Sequence, residues 1–227
     1  MPSIKVPTLQ GDPSDKASED PAEAASETET TADAVVTRPR NIDPAAKRLF
    51  DQSLTRIEQD DLPAARLLLT ELTSLYPNIP EAHYNLGQVL EQLDESDLAT
   101  IAYQAAINAD RGFCPAQIRL ALIARLGYEF ETAEMAYQQC LDQHPDNATA
   151  QFNLGVLYEI YLGRYEDAVN AYEQFQSQQA ERDRRVDLWI NDLKRRMPTP
   201  PAQDDTGTST VQNAKTVATE EVDNDQT

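Results

Sequence analysis

A chain of 227 residues with 39 Asp and Glu against 19 Lys and Arg carries a formal charge of −20, and more than half of that excess falls between residues 42 and 196. Such a surface repels duplexes and other phosphate-rich partners, so nucleic-acid binding is excluded. The length suffices for one continuous core, and no apolar run reaches the length of a transmembrane span or a signal-peptide core.

Residues 1–41 are rich in Pro, Ala, Ser, Thr, Glu and Asp without periodicity, which is the composition of a disordered acidic tail. From residue 42 onward apolar residues recur at helical spacing and no stretch alternates as a strand would, so the fold class is all-α. Ser53, Gly87, Ala121 and Gly155 form a ladder of small side chains at spacings of 34, 34 and 34. Ala65, Ala99, Ala133 and Ala168 form a second, at 34, 34 and 35. Closely packed antiparallel helices require small residues at both positions, so the period marks a repeated helical hairpin. The units run over about 46–79, 80–113, 114–147 and 148–182, each a helix A, a short turn and a helix B.

Asp60-Asp61-Leu62-Pro63 starts one B helix, with an acidic cap and a proline in the first turn, where its missing N–H costs little. One extra residue near Tyr161 is expected to lengthen the turn of unit four, which ends at Gly163. After a polar connector from Gln176 to Arg182, the residues Val186, Trp189, Ile190, Leu193 and Met197 line one stripe of a helix. That helix, over 183–197, caps the open end of the stack, with Trp189 as its anchor; burying the indole would stabilise the end by about 2–3 kcal/mol. Residues 198–227, which include Pro198, Pro200 and Pro201, form a second acidic tail of the same expected character.

Leu86-Gly87 and Leu154-Gly155, the variant Leu120-Ala121, the aromatics Tyr103, Tyr137 and Tyr172, and the closing prolines Pro77 and Pro145 together resemble the tetratricopeptide repeat. The pattern departs at Gln52-Ser53, at Leu69 in the aromatic slot, and at Arg111 where proline is usual. The resemblance implies a right-handed solenoid with a capping helix, and a non-catalytic protein-binding scaffold. It also implies that the A helices line a concave groove. By that resemblance the groove's fifth positions are Phe50, Tyr84, Ile118 and Phe152, and its ninth positions are Leu54, Gln88, Leu122 and Val156. The expected groove is greasy, with Asn85, Arg119, Arg125 and Asn153 as polar points, although part of the apolar set is expected to pack between neighbouring helices.

A carboxylate clamp of the co-chaperone kind is not expected. Asn85 and Arg119 stand at two of its five positions, but Phe50, Leu54 and Pro115 replace the other polar groups, leaving too few donors for a desolvated carboxylate. The implied partner is a protein segment of apolar or basic character, since the acidic surface attracts cations. The alternative is a structural assembly subunit of a bacterial envelope complex that uses the groove for homo-oligomer formation. A weaker similarity of NLGVLYEIYLGRYEDAVNAYEQF and LWINDLKRR to bacterial envelope tetratricopeptide lipoproteins motivates it. Read as it stands the chain belongs in the cytoplasm; with a preceding signal and lipid-bearing Cys it would be periplasmic or anchored to the envelope.

No catalytic residue, cofactor or metal site is implied. His83 and His144 lie 61 residues apart and match no ligand spacing, and there is no phosphate loop or nucleophile elbow. His83 reads as helix packing and His144 as an exposed turn residue. Cys114 and Cys140 fall at the start of helix A and near the end of helix B of unit three, ends that an antiparallel hairpin brings side by side. A disulfide is therefore open to them, while the packing reading has Cys140 filling the small slot that Ala106 fills in unit two.

Overall fold

A computed structural model describes residue 39 and residues 42–197. The two acidic terminal segments lie outside the described residues, so the expectation of disorder there has no structural counterpart. Among the described residues there are helices and no strands. Four hairpins follow one another: α1 (Pro44–Glu58) with α2 (Leu62–Leu75), α3 (Pro80–Gln92) with α4 (Ser96–Ala109), α5 (Cys114–Leu126) with α6 (Phe130–Gln143), and α7 (Ala148–Val156) with α8 (Tyr165–Ser177). A single helix, α9 (Arg184–Arg196), closes the series. Each helix packs first on its hairpin partner and then on the next helix in the chain, which is the connectivity of a solenoid.

The hairpin starts follow local chemistry. Prolines lie in the first turns of α1, α2, α3 and α5. The side chain of Asp61 accepts from Ala64 N–H at the start of α2, and Asn147 does the same for Ala150 at the start of α7. The turns between A and B helices share one device, a left-handed residue: Asp60, Asp94, Tyr128 and Gly163, with φ of 58°, 59°, 61° and 63°. In the first three turns the N–H that follows this residue donates to a carbonyl five residues back: Asp61 to Arg56, Glu95 to Leu90 and Glu129 to Ala124.

Unit four carries its extra residue differently from the expectation. The turn keeps its left-handed glycine, and the insertion is absorbed inside helix A, whose last stretch Leu157–Tyr161 winds as a π-helix. A π-turn takes up one residue without ending the helix, so the hairpin geometry survives.

The two small-residue ladders form the seams. A methyl placed on Gly87 would meet three ring atoms of Tyr103 at 2.5–2.8 Å, and one on Gly155 would meet Tyr172 at 2.6 Å. The Leu-Gly pair is thus the imprint of an aromatic ring lying on the helix A backbone. Tyr103, Tyr137 and Tyr172 are fully buried, as is Leu69 in the same slot of unit one.

At the end of the stack Val186, Ile190 and Leu193 of α9 are buried, while Trp189 is only partly so and leans on Phe152 and Tyr172 at ring distances of 6.2 and 6.0 Å. The aliphatic residues, more than the indole, anchor the cap. Gln176 belongs to α8 rather than to a polar connector: it is buried, its amide N–H donates to Asp183 O at 2.6 Å, and its Oε1 accepts from Asp183 N–H at 2.8 Å. This two-way clasp ties α8 to the first residue of the cap. Asp183 in turn caps α9 through Arg185 N–H.

Candidate functional site

All seven apolar residues expected to line an exposed groove are buried: Phe50, Leu54, Tyr84, Ile118, Leu122, Phe152 and Val156. The greasy groove is therefore corrected to core packing, with Phe50 and Leu54 in one cluster, Tyr84 in a second, and Ile118, Leu122, Phe152 and Val156 in a third. The reason is visible in the ring contacts. Tyr84 packs on Tyr103 of its own hairpin and on Phe113 at the entry to the next, at 5.7 and 5.6 Å. Phe152 packs on Tyr172, Phe175 and Trp189. Residues at these positions point along the stack and fill the joints between successive units, where burial in a neighbouring hairpin outweighs exposure to a groove. The ninth-position Gln88 is buried too, with its amide donating to the Tyr84 hydroxyl at 3.3 Å.

The polar members of the set behave differently. Asn85, Arg119 and Asn153 occupy one register of successive A helices, 34 residues apart. Asn85 is buried and neither its amide nitrogen nor its amide oxygen has a hydrogen-bond partner. Asn153 donates to Thr149 O at 3.0 Å, but its amide oxygen is buried without a partner. Buried polar groups left unpaired cost about 1–3 kcal/mol each, so two of them in one register need an explanation. Between them Arg119 reaches across to the preceding unit and pairs with the carboxylate of Glu91.

Glu91 opens a second polar ladder, of which sequence reading named only Arg125, as a polar point of the groove: Glu91, Arg125 and Glu159, again 34 residues apart. Arg125 and Glu159 are buried. The Tyr103 hydroxyl donates to Glu91 at 2.6 Å and the Tyr172 hydroxyl to Glu159 at 2.9 Å. Burial, reinforced by the adjacent Glu91 carboxylate, raises the Tyr103 phenol far above its ordinary range, so it stays protonated and donating. Arg125 lies 5.5 Å above the Tyr161 ring. The signal for this ladder was available, since charged residues recurring at the repeat period on a helix whose neighbours are apolar must meet partners inside the stack.

The histidines are apart. His83 Nε2 bonds Pro77 O and His144 Nε2 bonds Gly112 O, each at 2.9 Å, each across an inter-repeat loop. Among the described residues no three His, Cys, Asp or Glu side chains converge as metal ligands would. Cys114 and Cys140 are joined by a disulfide with Cα atoms 4.8 Å apart, so the pair does more than fill space in the third hairpin. Among the described residues no helix is long and apolar enough to cross a membrane.

A family model described as tetratricopeptide repeat matches residues 50–112 and 125–181, more than half of the chain. Among solved structures, a tetratricopeptide repeat protein from Parabacteroides merdae is similar with a TM-score of 0.59 and 20% identity, over 67% of this chain and 61% of that one. Pseudomonas aeruginosa pilF is similar with a TM-score of 0.56 and 18% identity, over 66% and 67% of the two chains. The crystal structure of MamA gives 0.54 and 23%, over 70% and 88%. At these identities the likeness concerns the fold. A curated relative, the UDP-N-acetylglucosamine–peptide N-acetylglucosaminyltransferase of Giardia intestinalis, is 31% identical over 85 residues, which is 37% of this chain but spans only 6% of the length of that protein.

Proposed function

Because the chain belongs to the tetratricopeptide repeat family, we propose that it is a non-catalytic scaffold holding a segment of a protein partner along the inner face of its A helices, with Asn85, Arg119 and Asn153 contacting the partner's backbone. The observation that carries this reading is the unpaired Asn85 amide: a donor and an acceptor on one side chain, in register with a second unpaired amide oxygen two units on. A peptide backbone offers the complementary pair at each residue. Both amides lie beneath the surface of this conformation, so the partner displaces neighbouring side chains as it docks. The seven apolar residues set the spacing of the ladder from within the core and are not contacts. With the apolar groove gone, the acidic surface favours a basic partner segment.

Affinity capture from native lysate with wild type and with Asn85→Ala/Asn153→Ala, both checked for helicity, tests this. The partner set should shrink in the double variant, and its members should be retained by a surface control such as Thr100→Ala. Identical sets from both proteins would remove the inner face from consideration.

A further inference from the structure

A second surface, distinct from the inner face, stands out at the A–B turn of unit three. Its left-handed slot holds Asp60 in unit one, Asp94 in unit two and Gly163 in unit four, but Tyr128 in unit three. Aspartate and glycine tolerate positive φ; a bulky aromatic there is an outlier. Strain of this kind persists where something other than local comfort selects the residue. Nor is the side chain drawn inward, for Tyr128 is 79% exposed. Two residues upstream, where units one and two carry Glu58 and Gln92, unit three carries Leu126, 69% exposed.

The apolar character continues into unit four. Tyr128 meets Phe130 edge-on at 6.1 Å, and Phe130 meets Tyr161 at 5.3 Å. Tyr161, which closes the π-helical turn, is thereby brought to this edge. An inserted residue, a strained tyrosine and the loss of two polar turn residues therefore coincide at one spot. Scattered exposed apolar side chains are normal on a soluble protein; a contiguous aromatic one built from two irregularities is not.

The charges around the patch specify its occupant. Glu129 and Glu131 are exposed beside it. Arg164 is engaged by Glu134 and Asp167, and Arg125 is buried beneath the Tyr161 ring. Aromatic faces rimmed by carboxylates suit a cation flanked by apolar groups. We infer that the turn edge of units three and four is a docking surface for a basic segment of a protein partner, an apolar side chain lying against Tyr128, Phe130 and Tyr161 with an adjacent Arg or Lys between the rings and Glu129 or Glu131.

A random peptide library displayed on phage, selected on the full chain and counter-selected on Tyr128→Gly, tests the inference. The glycine copies the Gly163 slot; Leu126→Gln, which copies Gln92, is the second variant and leaves the turn untouched. Selected peptides should pair apolar residues with Arg or Lys and lose about tenfold in affinity for either variant. They should bind Asn85→Ala unchanged and weaken as salt rises. Three results would overturn it: no enrichment over the counter-selecting variant, selected sequences without cations, or sedimentation showing self-association that Tyr128→Gly abolishes, which would make a second copy the occupant.

Discussion

Gly87→Ala is the sharpest test of how the hairpins are held. In an isolated helix the change would gain about 1 kcal/mol, because glycine has the greater backbone entropy to lose. Here the new methyl would lie 2.5–2.8 Å from Cε1, Cδ1 and Cζ of Tyr103. That ring is fully buried and its hydroxyl is fixed to Glu91, so it can retreat only by opening the seam or breaking the hydrogen bond. Overpacking of this kind costs about 2–3 kcal/mol, leaving a net loss of about 1–2 kcal/mol. With a urea slope of about 2 kcal/mol/M, the midpoint followed by helical circular dichroism should fall by about 0.5–1 M. Unit one suggests the compensating change, since it pairs Ser53 with Leu69 in place of glycine with tyrosine. The double variant Gly87→Ala/Tyr103→Leu should therefore be more stable than the sum of the single losses by about 1 kcal/mol or more. Unit three carries Ala121 in this slot, so a methyl is admissible where a hairpin has been built around it; the cost at Gly87 is that of a seam closed onto a bare backbone. A Gly87→Ala protein as stable as wild type, or strictly additive single and double variants, would refute the reasoning.

Reduction, or Cys140→Ala, should cost about 3.5 kcal/mol, the loop-closure value for cysteines 26 residues apart; coincident urea curves for oxidised and reduced protein would contradict this. Asp183→Ala should cost about 1 kcal/mol by uncapping α9, read by the fluorescence of Trp189, the single tryptophan. Burial pushes the Asp183 carboxyl upward, but its bonds from Arg185 outweigh that and leave it below the usual carboxylate value. Its contribution is thus fully present above the ordinary aspartate range and is lost as pH falls through the lowered value, and Asp183→Ala should remove that part of the acid dependence. Tyr128→Gly should raise stability by about 1 kcal/mol through relief of the left-handed strain, whereas Tyr128→Ala, still strained, should not; equal stabilities for the two would remove strain from the account.

The architecture was legible because its determinants are local and repeat. Ser53, Gly87, Ala121 and Gly155 report a seam at every unit, and four copies of the same constraint cannot arise from surface composition. What failed was the assignment of faces. Phe50, Tyr84, Ile118 and Phe152 recur at the repeat period whether they line a groove or fill the joint between hairpins, and periodicity alone does not separate the two. That distinction depends on neighbouring units, as when Phe113 and Trp189 cover Tyr84 and Phe152. The extra residue of unit four was read in number but misplaced in space. A π-turn and a longer loop absorb the same insertion, and only the surrounding hydrogen bonds choose between them. Glu91 and Glu159 escaped because charged residues on a helix in an acidic chain look like a solvated face, and Arg125, without them, was assigned to the groove although it is buried. Tyr128 escaped because nothing in its letter reveals a positive φ, although its alignment with Asp60, Asp94 and Gly163 does.

The bond between Cys114 and Cys140 also changes how the molecule bears load. If the chain were drawn apart from its two ends, every hairpin could pay out as extended polypeptide except the one this bond closes. The 26 steps between the two sulfurs' residues would stay folded back as a loop, withholding about 90 Å of contour at about 3.5 Å per residue. The withheld length lies between unit two and unit four, so tension reaching either neighbour is transmitted through a covalent knot and not through α5 and α6. In an optical trap the oxidised chain would show a shorter final extension than the reduced one by that amount, a direct mechanical readout of the redox state of its surroundings.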